Sequence, residues 1–369
     1  MNPTGIGCAE RSGWWASLTG TALLLQSCQP NASSVLDRGG AEPTPTSNVR
    51  ISDCFAADFP IVFSSAITPE FVPRVALRSA DGSRGRLVSN AGKYYSPTWS
   101  PDGRALALRR RTGTETPSSV VLMALDGSEG VPLFMDESPS FGLTDVARPD
   151  GPTWAPDGES LAFASLQNSN TWAIWIISRS GGQLRRLLPD WEQPHFSPSW
   201  SRHDANQLLM VAESDGVQDI WLVDLSKSAP AENLTRALAA ELRNARSPRW
   251  SPDGQSITFS AEPVSAEVAA ASAPEEIYVL ELAARQLIRV TFDAAIDVTP
   301  SWSPDGKRLL IASNRAAAPS AEASSLAARY LDLWVVSIDG SEAPVMLTRD
   351  QGINVEADWY QGSSCQGEP

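Results

Sequence analysis

The sequence predicts an all-β protein, a six-bladed β-propeller closed by pairing of its N- and C-terminal strands. Three observations carry the prediction. A unit centred on a Trp recurs six times, four copies follow the Trp with a tight Pro-Asp-Gly turn, and the two chain ends hold complementary parts of one unit.

Aligned on Trp99, Trp154, Trp200, Trp250, Trp302 and Trp359, the units lie 55, 46, 50, 52 and 57 residues apart, periods that suit a four-stranded blade. The text SPTWSPDGRALAL at 96 returns as GPTWAPDGESLAFAS at 151, SPRWSPDGQSITFSA at 247 and TPSWSPDGKRLLIAS at 299. Two copies are degraded, SPSWSRHDANQLLMV at 197 and EADWYQGSSC at 356. In Ser100-Pro101-Asp102-Gly103, Pro fixes φ at the second turn position and Asp suits the third. Gly then takes the left-handed conformation that closes the hairpin. The apolar runs that follow, such as 161–164 and 257–259, fit strands covered by a blade on either side. A third strand reads Ile174-Trp175, Ile220-Trp221, Ile277-Tyr278 or Leu333-Trp334, and leads into turns such as Asp126-Gly127, Gly181-Gly182 and Asp339-Gly340. A fourth strand ends near Leu234-Thr235 and Leu347-Thr348.

The apolar strand at 61–63 has no Trp strand before it, and Trp359 has no apolar strand after it. The C-terminal strand is therefore expected to complete the blade begun at the N-terminus, which leaves no free radial edge. Cys54 precedes the first apolar strand and Cys365 follows the last Trp by six residues, so both flank one turn of that blade. In an oxidising compartment they are expected to form a disulfide; two free thiols are the alternative.

Ahead of the repeats, residues 14–25 are a twelve-residue apolar stretch, too short to span a bilayer and suited to the core of a secretory signal. It ends in Leu25-Gln26-Ser27-Cys28, which resembles the bacterial lipobox, whose Cys is diacylated and becomes the mature N-terminus. This divides the chain into a signal peptide at 1–27, a lipidated Cys28 with a flexible tether at 28–53, and the propeller at 54–369. An ordinary cleaved signal would leave the protein exported without an anchor. The tether contains Pro30, Gly39, Gly40, Pro43 and Pro45 among small polar residues, and buries too little apolar surface to offset its ordering entropy.

The formal charge of −14 repels phosphate polymers, which argues against nucleic acid as a partner. Thirteen Trp against two His favours packing and stacking over proton transfer or metal ligation. The sequence has no Gly-x-Ser-x-Gly elbow and no His-Glu-x-x-His. His195 and His203 fall on opposite faces of the expected ring, so neither catalysis, a metal nor a cofactor is expected.

The Trp-Ser-Pro-Asp-Gly units, preceded by Ser/Thr-Pro or Gly-Pro, resemble the propeller repeats of the TolB family, relatives of the Trp-Asp repeats. The resemblance covers nearly all of the expected mature chain. It implies a periplasmic or envelope interaction module. The lipid anchor is a departure from TolB, which is a soluble periplasmic protein; the chain is expected to be a monomer that touches membrane only through its lipid. The α/β domain that precedes the TolB propeller has no counterpart in these repeats, and the partnership of TolB with a peptidoglycan-associated lipoprotein does not carry over with the propeller alone.

A meander places the first and third turns of each blade on one face, and the second turn and the blade-to-blade connection on the other. The first kind are short here. The second kind, at 136–148, 190–197, 236–247, 263–275 and 314–330, are long and irregular, as suits recognition on a rigid scaffold. Since Cys54 and Cys365 flank a turn of the first kind, the loop face is expected to point away from the anchor. It gathers Tyr94, Tyr95, Phe141, Trp172, Trp191 and Phe196, the candidate ligand-binding residues, with acids such as Asp145, Asp190 and Glu192. Aromatics among polar groups suit a protein or peptide partner in the cell envelope. A carbohydrate-binding or carbohydrate-degrading propeller is the alternative reading.

Overall fold

A computed structural model describes residues 55–66, 72–89, 93–111, 118–128, 132–136, 151–165, 171–227, 231–264, 274–316, 330–349 and 352–362. These residues form six four-stranded antiparallel sheets, the blades of a propeller. From the axis outward, blade 1 is Ile353–Trp359, Ile61–Ala66, Arg74–Arg78 and Gly85–Leu87, and blade 2 is Lys93–Trp99, Ala105–Arg111, Ser118–Ala124 and Phe134–Asp136. Blade 3 is Thr153–Trp154, Ser160–Ser165, Ala173–Ser178 and Arg185–Arg186, and blade 4 is His195–Trp200, Gln207–Ser214, Val217–Asp224 and Ala231–Asn233. Blade 5 is Leu242–Trp250, Ser256–Pro263, Glu276–Glu281 and Gln286–Arg289, and blade 6 is Asp297–Trp302, Arg308–Ser313, Asp332–Ser337 and Val345–Met346. Each inner strand contacts the next, and that of blade 1 contacts those of blades 6 and 2, so the ring closes.

Closure follows the expected strand exchange. Ile61–Ala66 pairs antiparallel with Ile353–Trp359, with Ile61 opposite Trp359 and Ala66 opposite Ile353. The Tyr360 N–H donates to Pro60 O at 2.8 Å. Both cysteines, and Cys28, lie outside the described residues.

The repeat unit is legible as hydrogen bonds. All six landmark Trp side chains are buried. Several indole N–H groups reach a neighbouring blade, Trp250 Nε1 to Ser199 O at 3.1 Å and Trp302 Nε1 to Arg249 O at 3.2 Å. In the turn of blade 5, Gly254 has φ +71° and its N–H closes on Ser251 O at 3.0 Å. Asp253 Oδ1 accepts from Ser251 Oγ at 2.6 Å and from the Gln255 N–H at 3.0 Å. The Ser251 hydroxyl, then the Gln255 amide, hold this carboxyl below the usual range. Blade 4 lacks that turn. Its His203 instead leans onto blade 5, where its Nε2 meets Pro252 O and its ring occupies the space a Cβ on Gly254 would need.

The fourth strands end in Thr or Ser for an equally local reason. Thr235, Thr291, Thr348 and Ser89 place a hydroxyl against the backbone N–H of Ile220, Ile277, Leu333 and Val75, at 2.9–3.0 Å. The hydroxyls of Thr235 and Thr348 donate onward to Asp219 and Asp332 at 2.9 and 2.7 Å. Each link pins a short outer strand to its neighbour where ladder bonds run out.

One expectation is corrected. The residues leading to the Ser-Pro pairs, Tyr94 and Tyr95 and the ends of the segments 190–197 and 236–247, are expected on loops. They are strand. The inner strands pass through the Pro by a bulge, with register shifts between Tyr95 and Thr98, Phe196 and Ser199, and Val298 and Ser301. The residue before the Pro carries the bend at positive φ: Ser96 +48°, Ser197 +51°, Ser247 +53° and Thr299 +49°, with Glu356 at +54° in blade 1. In blade 3 the position is Gly151, where an added Cβ would sit 2.3 Å from the Ser96 Cβ.

Candidate functional site

Inner-strand starts, second turns and blade-to-blade connections together form the loop face. On blades 4 and 5 its floor is an ion-pair network centred on Arg246. Arg246 donates from Nε to Gln218 Oε1 at 2.6 Å and from Nη1 to Glu275 Oε1 at 3.0 Å, and its Nη2 lies 3.7 Å from Glu262 Oε1. Glu262 also accepts from Arg243 Nε at 3.1 Å and Asn244 Nδ2 at 3.0 Å. Burial pushes the Glu275 carboxyl up, against the pull of Arg246. On blade 6, Arg315 Nη2 donates to the fully buried Asp297 at 2.8 Å, and its guanidinium lies 5.5 Å over the Trp334 ring. These carboxylates are held by guanidinium groups, an arrangement that fixes a surface rather than frees a base. Among the described residues, no group of three or more His, Cys, Asp or Glu side chains is placed to share a metal ion.

Two hollows open beside this network. One, of about 470 Å³, is lined on blade 5 by Tyr278, Leu287, Arg289, Phe292, Val264 and Glu276, with Glu241 and Asp293 also in its wall. Arg289 donates through Nη2 to Glu276 Oε1 at 2.6 Å and through Nε to Oε2 of the same carboxylate. The Phe292 ring lies 5.0 Å from that guanidinium and is 71% exposed. Glu276 is buried, and desolvation holds its carboxyl above the usual range although Arg289 opposes the shift. The other hollow, of about 850 Å³, occupies the corresponding part of blade 6, with Trp334 and Asp332 in the places of Tyr278 and Glu276.

The six aromatic candidates do not form one surface. Tyr94 and Phe196 are corrections: both belong to inner strands, at 6% and 2% exposure, and pack into the cores between blades 1 and 2 and between blades 4 and 5. The bulge that carries the strand past the Pro is the reason. Trp172 is half-buried in the same core as Phe196, and its carbonyl accepts from the His195 N–H at 3.0 Å. Trp191 is half-buried against Trp221, ring centroids 4.9 Å apart at 86°. Tyr95 is half-buried on the opposite side of its strand from Tyr94, and burial raises its hydroxyl's pKa, with Arg111 opposing. Phe141 lies outside the described residues.

Sequence reasoning missed Phe292 and Val264, although a signal for Phe292 existed. The residue after the strand-ending Leu-Thr is Arg236 in blade 4 and Arg349 in blade 6, but after Val290-Thr291 in blade 5 it is Phe292. An apolar ring there is out of pattern. Three of the five large apolar side chains left exposed among the described residues, Val264, Phe292 and Ile296, sit on loop-face connections of blade 5.

Fold and surface together define a closed six-bladed propeller whose two faces are chemically unequal. Its fold is similar to the propeller of TolB: the TolB from Acinetobacter baumannii superposes with a TM-score of 0.62 at 18% identity, over 82% of this chain and 67% of that one. The Tol-Pal system protein TolB of Francisella tularensis is 24% identical over 262 residues, 70% of this chain and 51% of that protein. A Bacillus subtilis protein named as an uncharacterized peptidase, YuxL, is 27% identical over 163 residues, 36% of this chain and 24% of its own. The chain thus spans 24% and 51% of the lengths of these two curated relatives. No family model matches it.

Proposed function

We propose that this protein is a non-catalytic propeller of the bacterial envelope that binds a protein or peptide through its loop face, anchored by a lipid on Cys28. The observation that carries this is the asymmetry of exposed apolar surface. Among the described residues Val264, Phe292 and Ile296 stand out on the connections of one face, whereas the opposite face carries short turns such as those of Asp253 and Asp305, whose side chains accept from backbone N–H groups two residues on. Exposed apolar groups set among ion pairs resemble the composition of recognition surfaces. The likeness to TolB, a protein of the Tol-Pal system, supports an envelope location and a protein partner. Tyr95, Trp172 and Trp191, and Phe141, remain the candidate contacts named by sequence.

Photo-crosslinking in cells from Tyr95, Trp172 and Ile296 positions tests the reading. Protein adducts from these positions, absent from the tight-turn position Lys307, are the expected result. Strong retention of the mature chain on a glycan array with no protein adduct at any loop-face position would overturn it in favour of a carbohydrate-directed propeller.

A further inference from the structure

The hollow on blade 5 has the features of a pre-organised docking point. Phe292 is 71% exposed, yet it is backed by the Arg289 guanidinium at 5.0 Å. Arg289 in turn is clamped by both oxygens of the buried Glu276 and by Thr291 O at 3.2 Å. A ring fixed in this way loses little conformational freedom when a partner covers it, which is the property that makes aromatic side chains anchors at interfaces. Val264, 48% exposed, supplies further apolar surface in the hollow, and Tyr278, itself stacked on Phe259 at 5.9 Å, closes its base.

The charge of the wall selects among occupants. It carries three carboxylates, Glu241, Glu276 and Asp293, against one guanidinium, Arg289, and that guanidinium is already neutralised by Glu276. Glu241 is exposed and Asp293 half-exposed, 3.6 Å from Arg315. The chain as a whole carries −14. An anionic ligand would meet repulsion both at the hollow and at long range, and a cationic one would be drawn in.

From this geometry we infer that the blade 5 hollow docks an extended segment of a partner protein that presents an apolar side chain flanked by Lys or Arg. The inference rests on the loop-face reading above and names the chemistry of its ligand. The apolar side chain lies against Phe292 and Val264, and the flanking cation faces Glu241 and Asp293.

The test is panning of a random-peptide library displayed on phage against the mature chain. Enriched peptides are expected to share an apolar residue beside Lys or Arg. Their binding should fall at least about tenfold with Phe292→Ser and with the double change Glu241→Gln, Asp293→Asn, and should weaken steeply with added salt. Because Phe292 is exposed, its variant should keep the thermal midpoint of the parent chain, which separates lost docking from lost folding. Enriched peptides that bind the Phe292→Ser chain as well as the parent overturn this inference and leave loop-face recognition standing. Enrichment of acidic or uncharged peptides through Phe292 overturns the charge assignment. Binding seen only after residues 265–273 are replaced by a Gly-Ser linker shows that the chain's own loop is the occupant. No enrichment at all, together with retention on a glycan array, removes the loop-face reading itself.

Discussion

The Trp99 backbone N–H donates to Asp358 Oδ2 at 2.8 Å, across the seam where the last strand of the chain meets the blade that follows it in the ring. The same oxygen accepts from Thr98 Oγ1 at 3.0 Å. Elsewhere a hydroxyl does this work: Trp200 N–H meets Thr153 Oγ1 at 3.2 Å and Trp359 N–H meets Ser301 Oγ at 3.0 Å. At the seam the acceptor is one side-chain oxygen shared by both donors. Asp358→Ala should strand both donors and cost about 1–3 kcal/mol. Urea unfolding should show the midpoint drop with an unchanged slope; an unchanged midpoint would show that the seam does not depend on Asp358.

Burial separates the aromatic candidates by the energetic consequence of truncation. Phe196→Ala removes a fully packed ring from the core between blades 4 and 5 and should cost about 3–5 kcal/mol. Ile296→Ser, at a side chain 40% exposed, should change stability by no more than about 0.5 kcal/mol. Thermal unfolding of the two variants checks this, and equal losses would contradict the assignment of Phe196 to the core and Ile296 to the surface.

Much of the ring was legible because its grammar is local. The Pro-Asp-Gly turn, the Trp ahead of it and the Leu-Thr at the strand end each do their work within a few residues or against the adjacent strand. Strand exchange at the seam was legible too, since a missing Trp strand at one end and a missing apolar strand at the other admit one solution. What failed was the boundary at Ser96-Pro97 and Ser197-Pro198, where a left-handed Ser lets the strand run through a Pro. That single misreading moved Tyr94 and Phe196 from core to surface. The blade 5 hollow was illegible for a different reason. Glu276 and Arg289 are thirteen residues apart and meet only because two outer strands pair, and nothing in either neighbourhood marks the exposed Phe292 as held in place.

Cysteine chemistry gives a test of the N-terminal reading. A diacylated Cys28 places the protein in the detergent phase of membrane extracts, since two chains are needed for stable anchoring. Cys28→Ser should move it to the soluble exported fraction. Equal membrane retention of both forms would refute the anchor.

At the seam Tyr360, five residues before Cys365, donates its N–H at 2.8 Å to the carbonyl of Pro60, six residues after Cys54. Protein prepared from an oxidising compartment should yield a Cys54–Cys365 peptide by mass spectrometry under non-reducing digestion. Closing so long a loop adds about 5 kcal/mol on the chain-entropy account. Reduction should therefore lower the thermal midpoint, and recovery of two alkylated thiols from unreduced protein would exclude the bridge.

His195 sets the expected response to acid. It is fully buried, its Nδ1 sits 2.9 Å from Gln193 O, and burial, with a smaller push from the Arg186 charge, holds its pKa below the ordinary 6.5. In the unfolded chain the ring takes up a proton near 6.5, and in the folded chain it resists. Between its folded value and 6.5 the unfolded state binds more protons, so stability is fully present above about pH 6.5 and declines as pH falls below it. The limiting slope is about 1.4 kcal/mol per pH unit. Glu275 and Glu276 act oppositely. Burial holds their carboxyls above the ordinary 4.5, so they favour the folded chain as pH falls toward that value. The difference between parent and His195→Gln isolates the histidine, because the carboxylates cancel. Chemical unfolding at a series of pH values from 7 to 5 should show the parent losing stability faster than the variant on acidification. Parallel curves would mean that His195 titrates alike in both states, against the burial seen here.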